Sequence, residues 1–91
     1  MLDKDGRILI PKEFKVLKSE EGKVVFYYSV EEKLFYIRFE EVSDEFLIDI
    51  RKMDKKNRVF FPKQIVDIYK TENILVAKKD SRIYFLPLKE E

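Results

Sequence analysis

The chain has 91 residues, a net charge of +1, and 45% hydrophobic, 14% aromatic and 41% charged residues. That is one small domain with enough apolar side chains for a core, so a disordered chain is excluded. It has no cysteine and no histidine, which removes disulfides, thiolate metal sites, the commonest metal ligand and the usual general base.

No apolar run approaches the ~20 residues of a membrane span. The start, Met1-Leu2-Asp3-Lys4-Asp5, lacks a basic region followed by an apolar stretch. A soluble cytoplasmic protein is expected. The dense, balanced Lys and Glu/Asp content leans toward a thermophilic source.

The first element is a tight turn at Lys4-Asp5-Gly6, leading into a short apolar strand over residues 7–10. Pro11 ends that strand and opens a short helix, where its missing N–H costs nothing. Phe14 and Leu17 give the helix one apolar side. A β-hairpin follows, residues 24–28 with 34–39. Its strands are apolar on both faces: Val25 and Tyr27 on one, Val24, Phe26 and Tyr28 on the other. So small a chain buries such strands only by intertwining its halves or by subunit contacts.

Residues 46–53 alternate, with Phe46, Ile48 and Ile50 on one face and Leu47 and Asp49 on the other, and predict an extra strand. Then the opening recurs. LDKDGRILIPKEF at 2–14 matches MDKKNRVFFPKQI at 53–65, with Asp3/Asp54, Lys4/Lys55, Arg7/Arg58, Pro11/Pro62 and Lys12/Lys63 identical. Gly6 faces Asn57, the two residue types that best tolerate a positive φ. A second strand is expected over 58–61, and a second helix with Ile65, Ile68 and Tyr69 on its apolar side. A second hairpin is expected over 74–77 with 83–88, its loop two residues shorter than the first. At an offset of 51, Lys23 to Phe26 line up with Ile74 to Ala77; at 49, Leu34 to Ile37 line up with Ile83 to Leu86. The chain is thus a single domain, residues 1–91, built from two internal repeats of about 1–41 and 45–91.

The charge is not shared evenly. Residues 1–22 sum to 0, residues 23–48 to −3, residues 49–70 to +4 and residues 71–91 to 0. Arg51, Lys52, Lys55, Lys56, Arg58 and Lys63 lie within thirteen positions of the second copy. They suit a phosphate-binding patch, or equally the solvated face of a Lys-rich protein. Arg7 and Arg58 either clamp phosphate or read guanine edges, or they pair with Asp3 and Asp54 and staple the turns; the two roles are compatible. The aromatics of the hairpins (Phe26, Tyr27, Tyr28, Phe35, Tyr36, Tyr84, Phe85) alternate as packing residues rather than as a platform for single strands. The acidic groups have no metal-ligand spacing, the serines have no base to activate them, and no Gly-rich phosphate loop exists. No enzyme, cofactor or metal is expected.

Turn, Gly-Arg, apolar triplet, Pro, short amphipathic helix and hairpin resemble the SpoVT-AbrB superfamily of swapped-hairpin barrels, which includes AbrB-type regulators, MazE-type antitoxins and MraZ. In the AbrB type, two chains each give one unit and interlock into a barrel that binds DNA. MraZ carries two units in one chain, each with Asp-x-x-x-Arg, as in Asp3 to Arg7 and Asp54 to Arg58 here. The resemblance covers nearly the whole chain. It implies a mainly β fold with short helices, a small pseudo-twofold barrel made of both repeats. It also implies a cytoplasmic, nucleoid-associated regulator of transcription that binds double-stranded DNA. The motif arginine matches Arg7 and Arg58; a basic residue three positions before the motif Asp matches Arg51, with Lys52 beside it. The family's arginine pair early in the helix is missing: the first copy has Lys15 then Val16, the second Val66 and Asp67. Lys12 and Lys63, directly after the prolines, are the substitutes. The expected DNA contacts are therefore Lys4, Arg7, Lys12 and Lys15 from the first copy, and the six basic residues from Arg51 to Lys63 in the second. Arg51, Lys52 and Arg58 are expected to dominate. The alternative is an antitoxin-like or structural protein–protein module, with further homo-oligomers left open. The ending Leu88-Lys-Glu-Glu lacks the long toxin-wrapping tail of MazE-type chains.

Overall fold

The computed structural model describes residues 2–14, 22–42 and 45–88. Lys15 and Leu17, and with them most of the first expected helix, lie outside the described residues. In chain order the elements are β1 (Arg7–Leu9), a 3-10 turn (Lys12–Phe14), β2 (Lys23–Ser29), β3 (Leu34–Arg38), β4 (Phe46–Lys52), β5 (Arg58–Phe60), α1 (Lys63–Tyr69), β6 (Ile74–Lys79) and β7 (Arg82–Pro87). The fold is mainly β, as expected.

β2 to β4, β6 and β7 form one antiparallel sheet in the order β4-β2-β3-β7-β6, and β1 pairs with β5 in a separate ribbon. The two sheets are not closed into a barrel. β1 and β5 are three residues long, and single links join ribbon to sheet. The Met53 N–H donates to the Gly22 carbonyl at 2.8 Å, the Leu2 N–H donates to the Glu72 carbonyl at 3.2 Å, and Met53 bridges to Val59. Gly22 permits the first link. Its φ is +68°, and a Cβ there would meet the Met53 carbonyl oxygen at 3.0 Å.

The pairing registers carry the duplication. Ile8 lies opposite Val59, with Arg7 opposite Phe60 and Leu9 opposite Arg58. Tyr36 lies opposite Tyr84, with Phe35 opposite Phe85 and Ile37 opposite Ile83. Each ladder maps onto itself when the two repeats are exchanged. The same exchange relates the Ile10 N–H to Asn57 carbonyl bond (2.8 Å) to the Phe61 N–H to Gly6 carbonyl bond (2.9 Å).

One face of the large sheet (Val24, Phe26, Phe35, Ile37, Ile74, Ile83, Phe85) packs on Ile8, Ile10, Val59, Phe61, Ile65 and Tyr69. Burial of these side chains, each stabilising by roughly 1.5–3 kcal/mol, holds the ribbon and α1 to the sheet. The other face carries Val25, Tyr27, Tyr36 and Tyr84, also buried. The linker after β3 covers it: the Tyr27 hydroxyl donates to the Glu40 carbonyl at 3.4 Å and accepts from the Val42 N–H at 2.8 Å. The Arg82 guanidinium lies 4.5 Å from the centre of the Tyr36 ring.

Three expectations need correction. The core faces pair Val24 with Ile74 and Phe35 with Ile83, so the hairpin offsets are 50 and 48, not 51 and 49. A one-residue slip puts every side chain on the wrong face. In α1, Ile65 and Tyr69 at i, i+4 face the core while Ile68 is 61% exposed. In β4 the register shifts opposite Phe26 and Tyr27, so Asp49 partners Phe26 and Leu47 partners Tyr27, with Ile48 left over as a bulge. That places Leu47 and Ile50 on one face, against the simple alternation. The hairpin loops agree with expectation: residues 30–33 in the first and 80–81 in the second.

Candidate nucleic-acid interface

The two Asp-x-x-x-Arg motifs fold identically. The Asp3 Oδ1 accepts the N–H groups of Asp5 (3.0 Å) and Arg7 (2.8 Å), and its Oδ2 accepts the Arg7 Nε–H at 3.0 Å. The Asp54 Oδ1 accepts from Lys56 (2.9 Å) and Arg58 (2.8 Å), and its Oδ2 accepts the Arg58 Nε–H at 2.8 Å. Positive φ closes each turn, +81° at Gly6 and +61° at Asn57. The backbone N–H of Arg7 holds the Asp3 carboxyl below its ordinary pKa, and that of Arg58 does the same for Asp54; the guanidiniums add to both. Both carboxylates are therefore ionised at neutral pH, and both arginines do staple their turns.

The staples leave different residues of charge. Arg7 also meets Asp5 at 3.1 Å and reaches across to Asp54 at 3.8 Å, so three carboxylates surround it. Arg58 pairs with Asp54 through Nε alone, and its two terminal nitrogens take no partner among the described residues. The first turn carries Asp3 and Asp5 against Lys4 and Arg7; the second carries Asp54 against Lys55, Lys56 and Arg58. Lys4, Lys55 and Lys56 are exposed.

The ribbon brings the two motifs onto one surface. Ile8 and Val59 point inward, so Arg7, Leu9, Arg58 and Phe60 point outward. Leu9 is 57% and Phe60 50% exposed. Sequence reasoning missed both by treating the strands as uniformly apolar, although the period of two along a strand signals that the middle residue of Ile8-Leu9-Ile10 faces away from its neighbours. Lys12 and Lys63 are exposed at the starts of the 3-10 turn and of α1, directly after the prolines.

Arg51 and Lys52 lie at the end of β4, two residues and one residue before Met53, which meets the ribbon. Arg51 is already engaged: its Nε and a terminal nitrogen both lie 2.8 Å from the Asp49 Oδ2. The i, i+2 spacing on a strand is the signal that predicts this pair. Among the described residues, no helix is long and apolar enough to cross a membrane. No protein-family model, curated protein or solved structure matches the chain.

Proposed function

We propose that the chain binds double-stranded DNA through the outward face of the ribbon and its two flanking turns, as a transcriptional regulator of AbrB/MraZ type. The observation that carries this reading is the second turn. There Lys55, Lys56 and the free end of Arg58 stand against one carboxylate, beside a two-stranded ribbon of the width that a major groove admits. The registers that exchange onto themselves at Ile8/Val59 and Tyr36/Tyr84 support a duplicated swapped-hairpin arrangement, with one motif on each side of the ribbon. Lysines and the Arg58 terminus meet phosphates, which positions the protein without yet specifying sequence. The footprint leans to the second copy, since Arg7 is neutralised by Asp3, Asp5 and Asp54. Arg51 contributes less than its sequence position suggests, because Asp49 holds it.

Anisotropy titration of a mixed-sequence duplex between 50 and 200 mM salt tests this. The log–log slope of affinity on salt is about −0.9 per phosphate neutralised. Substituting Lys55, Lys56 and Arg58 together by Ala lowers its magnitude by about 2.7; Arg7→Ala alone changes it by less than one such step. A wild-type slope near zero removes the DNA reading.

A further inference from the structure

A phosphate-binding ribbon has no electrostatic use for two large apolar side chains at its centre, yet Leu9 and Phe60 stand there half-exposed. Their placement is fixed by register. Arg7 and Phe60 form one cross-strand pair, Leu9 and Arg58 the next, with buried Ile8 and Val59 between them. Cross-strand neighbours are about 5 Å apart and i, i+2 neighbours about 6.6–6.8 Å. The four outward side chains therefore stand at the corners of a small rectangle, the arginines on one diagonal and the apolar residues on the other. The apolar diagonal is about 8 Å long, two to three base-pair rises of about 3.4 Å. The Arg7 guanidinium carbon lies 5.8 Å from the centre of the Phe60 ring, a cation–π contact that steadies the ring in the outward pose.

Duplex DNA displays one apolar group on its major-groove edge, the C5 methyl of thymine. We propose that Leu9 and Phe60 read thymine methyls on the groove floor while Lys55, Lys56 and Arg58 hold the phosphates. The inference rests on the DNA reading above and adds its specificity: steps with thymines two or three positions apart are preferred over G·C-rich ones.

Uracil differs from thymine by that methyl alone, with charge and pairing unchanged. The full chain is titrated by anisotropy against alternating d(A-T) and d(A-U) duplexes at fixed salt. Burying one methyl is worth about a fourfold change in affinity, so losing two gives roughly fifteenfold weaker binding to the uracil duplex. Phe60→Ala and Leu9→Ala each shrink that ratio, and together bring it to about one, while the salt slope on mixed-sequence duplex stays as in wild type. A normal slope with equal affinity for both duplexes overturns this inference and leaves the DNA reading standing. A slope near zero overturns both. Two other outcomes also overturn it. Tighter binding of single-stranded oligo(dT) than of duplex, lost in Phe60→Ala, makes the ring a stacking platform. A duplex-independent oligomer that Phe60→Ala dissolves in light scattering makes it a protein contact.

Discussion

Tyr69 ties three elements together with one hydroxyl, and Tyr69→Phe tests how much of the fold depends on it. The hydroxyl accepts the Phe35 N–H at 2.9 Å and donates to the Phe85 carbonyl at 2.7 Å. Phe35 and Phe85 are direct partners in the β3–β7 ladder, so the oxygen sits between two groups that would otherwise bond each other. Burial pushes the phenol pKa up, which keeps the donor in place across the neutral range. The Phe variant keeps the ring and its edge-on contact with Phe35 at 5.4 Å. What is lost is two hydrogen bonds, with a buried donor and a buried acceptor left facing a gap. A net bond contributes about 1 kcal/mol and an orphaned buried group costs about 1–3 kcal/mol. The expected loss is about 2–3 kcal/mol, or roughly 10–20 °C in Tm for a domain of this size. Urea unfolding followed by circular dichroism measures the first, and amide exchange at Phe35 reports the mechanism. A loss below about 0.5 kcal/mol with the Phe35 amide still protected refutes the reasoning, because the strands must then close and bond directly.

Two further outcomes follow from the turns. Asp3 and Asp54 have folded pKa values below their ordinary values, chiefly through the backbone N–H groups of Arg7 and Arg58. A depressed carboxylate stabilises the fold above its unfolded pKa, near 3.9, and loses that contribution as pH falls through the folded value. The urea midpoint of wild type therefore falls below about pH 4, while Asp3→Asn with Asp54→Asn starts lower at pH 7 and converges on wild type in acid; parallel pH profiles would sink this assignment. Asn57 holds φ at +61° with its Oδ1 buried and without a partner among the described residues, where the first copy has Gly6. Asn57→Gly removes both costs and raises stability by up to about 1 kcal/mol; a lower Tm contradicts that account.

The repeat, the turns, the prolines as strand ends and the extra strand before the second copy were legible because each rests on local chemistry. Gly6 and Asn57 announce positive φ, and Pro11 and Pro62 cannot continue a strand. Faces were harder to read. The apolar runs at 23–26 and 74–77 match equally well at offsets of 50 and 51, since strands with few polar residues carry no mark of which side is in. The shared core face of Val24 and Phe26 with Ile74 and Val76 fixes the choice. Ile68 looks like a core residue by spacing, yet α1 is only seven residues long and buries Ile65 and Tyr69. At the candidate site, the arginines were found from the motif. Their unequal availability depends on Asp5 in the first turn and Asp49 on β4, each two residues from its arginine, and on Asp54 reaching Arg7 across the ribbon. Tyr69 was expected as an apolar contact; its hydroxyl matters because the two hairpins meet beneath it, which no local pattern records.

β4 has no counterpart in the first copy, and the two ends of the large sheet differ as a result. β4 covers β2, and Val25 is 0% exposed; its equivalent on β6, Leu75, is 52% exposed, with no strand beyond β6 among the described residues. On β4, the Asp49 carboxylate accepts the Ile50 N–H at 2.8 Å, which occupies one backbone donor of that strand. Sheets propagate from one molecule to the next through free edges. In a symmetric pair of separate chains, any strand that blocks one edge must appear at the other, and any edge left open is left open twice. Joining the halves in one chain breaks that rule. This molecule has β4 at one edge and β6 at the other, two strands of unrelated sequence, so whatever meets one edge need not fit the other.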